Sequence, residues 1–220
     1  PTGAYNADGG YHRCMPGHLT EVGERELEAL GSFLRKSYIE IADGRPLLTA
    51  PAKPELQVVS TKGARTVLSA QCLLRGLFPD VNQAELDNLV EVPRTFDTEI
   101  LIANHARCPR LRQLAIEQRA KYDAGLQVTS TRRKLRQVEG EDEAKVSIIM
   151  HGDPLRAYTG HGVPLPTGYE ALAADIDTCG HQSIELGVGG TEEVVRLSSG
   201  LLLADMHRMF SDAAAGRSPL

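Results

Sequence analysis

Tryptophan is absent from the 220 residues and only 5% of them are aromatic, so the stacking platforms that hold unpaired bases are missing. No block of lysine and arginine dominates either: 24 basic residues stand against 29 acidic ones, for a net charge of -5, and the electrostatic footprint of a nucleic-acid binder is lacking. Cysteine is scarce. Cys14, Cys72, Cys108 and Cys179 are far apart with no C-x-x-C pair, which excludes zinc-finger and thioredoxin-like signatures, and their spacing selects no disulfide pairing. No apolar run approaches the roughly 20 residues needed to cross a bilayer. The chain opens on Pro1 instead of Met, with no signal-peptide pattern, and is expected to lack its natural start.

Hydrophobic residues make up 41% of the chain, enough for the core of one large domain or about one and a half ordinary ones. Residues 1 to 18, rich in Gly, Pro, Asn and Asp, read as an irregular loop. A helix is predicted from Thr20, a good N-cap. Glu21 and Glu24 in its first turns and Arg35 and Lys36 in its last suit the macrodipole, and Leu27, Leu30, Leu34 and Tyr38 recur at helical spacing. After a loop with Gly44, Pro46, Pro51 and Pro54, residues 56 to 60 read as a buried strand and Arg65 to about Leu77 as a helix ended by Phe78-Pro79. Leu89 to Pro93 reads as a further short strand. Helix, strand and helix in this order predict a layered α/β architecture, a sheet packed by helices.

From Cys108 onward the pattern is helical and charged. The basic run Arg132, Arg133, Lys134, Arg136 and the acidic run Glu139, Glu141, Asp142, Glu143 read as a solvated helix face or linker. Val146 to Met150 reads as a short strand or buried helix turn, residues 154 to 166 as a proline-rich loop, and Tyr169 to about Cys179 and Thr191 to Phe210 as helices.

The segment that carries chemistry is Ser60-Thr61-Lys62-Gly63-Ala64-Arg65-Thr66, where strand, turn and helix meet. A cation in the first turn of a helix opposes the macrodipole, whereas an anion there is favoured by the dipole and by free N–H groups. Arg65 therefore points to a bound anion, most simply a phosphate; the plain alternative is a surface arginine.

Ser60-Thr61-x-x-x-Arg65-Thr66-x-x-Ser69-Ala70, followed by Gly76-Leu77-Phe78-Pro79, resembles the second phosphate-binding motif of the histidine acid phosphatases. Gly17-His18-Leu19-Thr20-x-x-Gly23 with Leu30-Gly31-x-x-Leu34-Arg35-x-x-Tyr38, Cys108-Pro109-Arg110-Leu111, and Asp177-Thr178-Cys179 with His181 are similar to further segments in family order. Val59 departs from the family, which has an arginine there. The resemblance implies a phosphoglycerate-mutase-like three-layer core with a mixed sheet, only partly covered, and a mostly helical cap. Residues 1–79 would be the N-terminal part of that core, 80–190 the cap and 191–220 a helix returning to the core. Arg65 would bind phosphate.

No catalytic residue is assigned within the chain. The family's Arg-His-Gly-x-Arg-x-Pro motif, whose histidine is the nucleophile, should precede Gly17, and Pro1 is expected to be its last residue. The His-Asp dipeptide supplying the proton donor is expected beyond Leu220, so the chain is expected to be a fragment, inactive by itself. Its parent would hydrolyse phosphomonoesters through a phosphohistidine, with neither cofactor nor metal. The expected partner is a phosphomonoester or phosphate and not a nucleic acid, and a homodimer is allowed. Cys108 and Cys179 would pair with cysteines farther along. The family's settings are secretory, lysosomal, cell-surface or secreted. The alternative is a relative without catalytic power that serves as an anion-binding or interaction module, in keeping with Val59.

Three other features are weighed as bland. His151-Gly152-Asp153-Pro154 superficially resembles the nucleophile motif but reads as a turn. His151, Asp153, His161, Cys179 and His181 are metal-donor types at spacings that fit no compact metal motif. Gly187-Val188-Gly189-Gly190 lacks the lysine and hydroxyl residue of a phosphate loop and reads as a flexible loop.

Overall fold

The computed structural model describes residues 4–5, 11–12, 17–41, 44, 46–52, 55–93, 95, 98–140 and 147–217. Cys14, Pro54, Val146 and the acidic run Glu141 to Glu143 lie outside them, as do Pro1 and Leu220. The chain divides into two compact units, Pro1–Thr98 with Met209–Leu220, and Glu99–Arg208.

In the first unit β1 (Ala4–Tyr5) pairs antiparallel with β2 (Tyr11–His12), so the opening stretch is not wholly irregular. Helix α1 (Glu21–Tyr38) starts as its sequence dictates: Thr20 Oγ1 accepts the Gly23 N–H at 3.2 Å, satisfying one of the helix's orphan donors. Its apolar stripe is placed differently from expectation. Leu30 and Tyr38 are exposed, and the one fully buried residue is Gly31. The reason is a close crossing with α2 (Ala64–Leu77). A Cβ on Gly31 would stand 2.1 Å from the Leu73 carbonyl oxygen, and one on Gly76 would stand 1.9 Å from that of Glu28. The contact line runs through the two glycines and turns Leu30 outward.

Helix α2 ends where Phe78 takes φ -130, ψ 65, and Arg35 of α1 reaches across to donate from Nη1 to the Leu77 carbonyl at 3.1 Å. Leu74, Leu77 and Phe78 then bury with Leu86 of α3 (Gln83–Asn88), with Leu34, Leu56, Val58 and Val90 packed around them. The predicted strands are short. β3 (Val58–Val59) pairs in parallel with β4 (Val90–Glu91), Val58 opposite Val90, and α2 and α3 form the crossover between them. The described residues are thus mostly helical, with one small parallel pair and one antiparallel pair where a larger mixed sheet is expected.

The second unit is helical: α4 (Pro109–Asp123), α5 (Leu126–Glu139), α6 (Ile149–Gly160), α7 (Ala173–Ile184) and α8 (Glu192–Ala214), the last ending in the first unit. Its core gathers Tyr122, Val128, Leu135, Ile148, Leu155, Leu172, Ile176 and Cys179. The basic run of α5 is a helix face, with Arg132 paired to Asp123 and Lys134 to Asp175.

Three expectations fail here. The proline-rich loop is not a loop over its first residues: α6 runs through Pro154, and burial of Leu155 and Ile148 outweighs the hydrogen bond that proline removes. The helix predicted from Tyr169 begins only at Ala173, behind a series of turns. The glycine-rich stretch is also no free loop. It winds as a π-helical turn, Glu185–Gly189, whose Val188 carbonyl accepts from Ser198 Oγ at 3.4 Å. Among the described residues no helix is long and apolar enough to cross a membrane.

Candidate functional site

The turn between β3 and α2 is built from small hydroxyl residues. Ser60 prolongs the parallel pairing by donating its N–H to the Glu91 carbonyl at 2.9 Å, and its side chain is buried. Thr66 Oγ1 lies 2.8 Å from the Gly63 carbonyl oxygen, 3.1 Å from that of Thr61 and 2.7 Å from Thr61 Oγ1. These contacts pin both ends of the turn to the first turn of the helix. Gly63 at the N-cap has extended backbone, and a Cβ there would come within 3.1 Å of Thr66 Oγ1.

The start of α2 is electrostatically open. No side chain caps it and no acidic residue occupies its first turn, while the Thr66 and Val67 N–H groups turn back to the Gly63 carbonyl. Among the described residues nothing accepts from the Ala64 and Arg65 N–H groups, which remain available with the positive end of the helix dipole. Arg65 is exposed, and no carboxylate among the described residues pairs with it. Its Nη1 reaches to 3.7 Å from where a Cβ on Gly17 would stand, and Gly17 adopts φ +80, open to glycine and strained for other residues. The guanidinium therefore hangs over the segment that leads into α1. Helix dipole, open N–H groups and a planar cation thus belong to the same first turn, a combination that suits a tetrahedral oxyanion. Val59, where the resemblance would place a second arginine, is 43% exposed at the end of β3.

The remaining sequence candidates are placed elsewhere. Cys108 caps α4, its Sγ accepting the Leu111 N–H at 3.4 Å, with Pro109 in the first turn. Asp177 accepts from Arg156 at 2.6 Å and faces His181 Nδ1 at 3.3 Å; the Arg156 hydrogen bond, against an opposing effect of burial, holds its carboxyl below the usual range. Cys179 is wholly buried, 3.6 Å from Thr131 Oγ1; burial pushes its thiol up, which makes it a core residue more than a nucleophile. Among the described residues Cys72, Cys108 and Cys179 form no disulfide.

His151 sits in α6 and not in a loop turn, bonded to Glu139 and to the Ser147 carbonyl. His151, Asp153, His161, Cys179 and His181 do not meet, and no group of three metal-donor side chains forms among the described residues. Sequence reasoning passed over the Thr61–Thr66 lock and the Gly31–Gly76 crossing. A glycine inside each of two neighbouring helices, Gly31 midway along α1 and Gly76 in the last turn of α2, was the available signal for the crossing.

Comparison with known proteins agrees with the segment order. The sequence model of the histidine phosphatase superfamily (branch 2) matches residues 7–153. Lysophosphatidic acid phosphatase type 6 of Homo sapiens is 30% identical over 150 residues, covering 67% of this chain and 34% of that protein, and its Pongo abelii counterpart gives the same figures. A putative acid phosphatase of Caenorhabditis elegans is 40% identical over 63 residues, 29% of this chain and 14% of its own length. The chain spans about a third of the length of its phosphatidic relatives, as the 34% coverage states. With two thirds of its sequence matched, the chain belongs to the histidine phosphatase superfamily, branch 2.

Proposed function

We infer that this chain is the phosphate-binding part of a phosphomonoester hydrolase, in which Arg65 and the N-terminus of α2 hold the phosphoryl group of the substrate. The observation that carries the reading is the uncapped, acid-free start of α2, whose Arg65 pairs with no carboxylate among the described residues. Related proteins named as acid phosphatases support the hydrolase class.

The chemistry follows from the charges. A phosphomonoester dianion must be held while a nucleophile attacks phosphorus, and the planar guanidinium of Arg65 matches phosphate oxygens with paired donors. In this reading the nucleophile is a histidine of an Arg-His-Gly-x-Arg-x-Pro segment, which forms a phosphohistidine. A carboxylic acid protonates the leaving alkoxide. Residues 1–220 hold no such segment, so the reading assigns them binding and positioning, within a three-layer core over 1–79 and a helical cap over 80–190. A secretory, lysosomal or cell-surface setting accompanies it. The relatives' names make a lysophospholipid phosphate the first natural substrate to test.

The test is phosphate release by the full-length protein from a chromogenic phosphomonoester and from lysophosphatidic acid, with orthophosphate titrated calorimetrically. Arg65→Ala should weaken phosphate binding by roughly one to two orders of magnitude, the loss of a charge-assisted contact of about 1.5–3 kcal/mol. Binding that survives the substitution removes Arg65 from the site. Exposed Val59 in place of a second arginine favours a second reading, an anion-binding module without turnover. Phosphate binding that depends on Arg65, with no ester hydrolysed, selects it.

A further inference from the structure

The lead-in to α1 restricts the start of α2 from across the first unit. Gly17 stands at φ +80, a left-handed conformation that glycine enters freely, asparagine with little penalty and most other residues only under strain. The direction its side chain would take is not neutral. A Cβ on Gly17 would meet Arg65 Nη1 at 3.7 Å, which is van der Waals contact. Among the described residues, its chain neighbours aside, no other atom comes within 4 Å of that point.

Backbone and space therefore ask for different residues at this position. The left-handed turn would be met by asparagine as well as by glycine. The space would not, because an amide beyond Cβ would crowd the guanidinium or accept its hydrogen bonds. Arg65 has little else to orient it. The contacts of Thr66 with Thr61 and Gly63 fix the backbone beside it, but its own side chain is long, exposed and joined to no carboxylate among the described residues. Such a side chain samples many rotamers in water, and binding an anion must restrict them. The surface it rests against is the bare backbone of Gly17.

We propose that Gly17 is a positioning residue for phosphate binding: by carrying no side chain, it leaves the Arg65 guanidinium the place from which it serves the start of α2. This rests on the reading of Arg65 as a phosphate ligand and adds a residue 48 positions away that acts only through it. Gly17 itself does not touch the anion. A side chain there would leave the turn and the open N–H groups of α2 in place while displacing the guanidinium, which would then have to be reordered each time phosphate binds.

Calorimetric titration of the full-length protein with orthophosphate, alongside thermal unfolding, tests the role. Gly17→Asn keeps a residue suited to φ +80 and should unfold near the wild-type temperature. It should nevertheless bind orthophosphate up to roughly tenfold more weakly, the effect of reordering one long side chain on binding. In an Arg65→Ala background the same substitution should weaken binding no further, because its effect runs through the guanidinium. If Gly17→Asn binds like the wild type while Arg65→Ala binds weakly, the positioning role is overturned and the phosphate reading stands. Equal losses in both backgrounds also overturn it, and affinity that survives Arg65→Ala removes the reading and this inference together. If Gly17→Asn does not fold, Gly17→Ala takes its place: a smaller loss confined to the Arg65 background is expected, and a loss in neither background or in both refutes the proposal.

Discussion

The α1–α2 crossing offers the sharpest quantitative test, because two opposing effects of glycine replacement can be weighed there. Alanine is the better helix former by about 1 kcal/mol, so Gly31→Ala and Gly76→Ala would each stabilise an isolated helix. Within the fold the new methyl on Gly31 would stand 2.1 Å from the Leu73 oxygen and 3.0 Å from the Gly76 Cα, and that on Gly76 would stand 1.9 Å from the Glu28 oxygen and 2.8 Å from the Ser32 nitrogen. Attractive contact begins near about 3.5 Å, so the helices must part by more than ~1 Å. The clashing atoms are backbone and cannot swing aside. Overpacking of this kind costs about 3 kcal/mol, at the upper end of its usual range, and separation also loosens Leu74 and Leu77.

The net loss is about 2 kcal/mol for each substitution, which lowers the melting temperature by roughly 4–8 °C in a chain of this size. Gly180→Ala is the control, since Gly180 lies inside α7 with nothing within 4 Å of the added Cβ; it should gain up to about 1 kcal/mol. Thermal unfolding followed by far-ultraviolet circular dichroism reads all three. If Gly31→Ala or Gly76→Ala behaves like Gly180→Ala, the close crossing is wrong. The double variant should lose less than the sum, since one displacement relieves both clashes.

Two further outcomes follow from local geometry. Thr66→Val removes the hydroxyl that locks the turn before α2; it should lower stability by about 1 kcal/mol and weaken orthophosphate binding in a calorimetric titration, while Thr66→Ser retains most of both. Burial pushes the Asp123 carboxyl up, but hydrogen bonds from Arg119 at 2.9 Å and Arg132 at 2.8 Å outweigh it and hold it below the usual range. Its contribution is therefore present above the ordinary carboxylate value of about 3.9 and lost as pH falls through the lower native one. Urea midpoints should show Asp123→Asn less stable than wild type near neutrality and converging with it below about pH 4.

Local codes were legible wherever the deciding atoms are close in sequence. Thr20 and the charges of α1 forecast its start and end, because a cap bond spans three residues. The strand-turn-helix at Val58 to Leu77 and the helix after Cys108 follow from runs and punctuation of the same kind. Where burial overrides local preference, the reading failed. Gly152 and Pro154 signal a turn, yet α6 passes through them because Ile148 and Leu155 anchor it in a core assembled from α4, α5 and α7. The glycines at 187 to 190 signal a loop. They wind as a π-turn, where Gly190 approaches Leu186 and the Gln118 side chain closely.

Residue order alone determined the family, the existence and type of most helices, and the conspicuous cation at the start of α2, since these rest on interactions within a few positions along the chain. Tertiary structure decided what that cation faces. Gly17 is far from Arg65 in sequence, and only packing of α1 against α2 brings the two together. It decided likewise that Gly31, and not Leu30, lies on the buried line of α1, because the separation of two helices is set by both surfaces at once. The pairing of His151 with Glu139 and Tyr169 belongs to the same class: three polar residues far apart in sequence meet only when α5, α6 and the turns before α7 pack together.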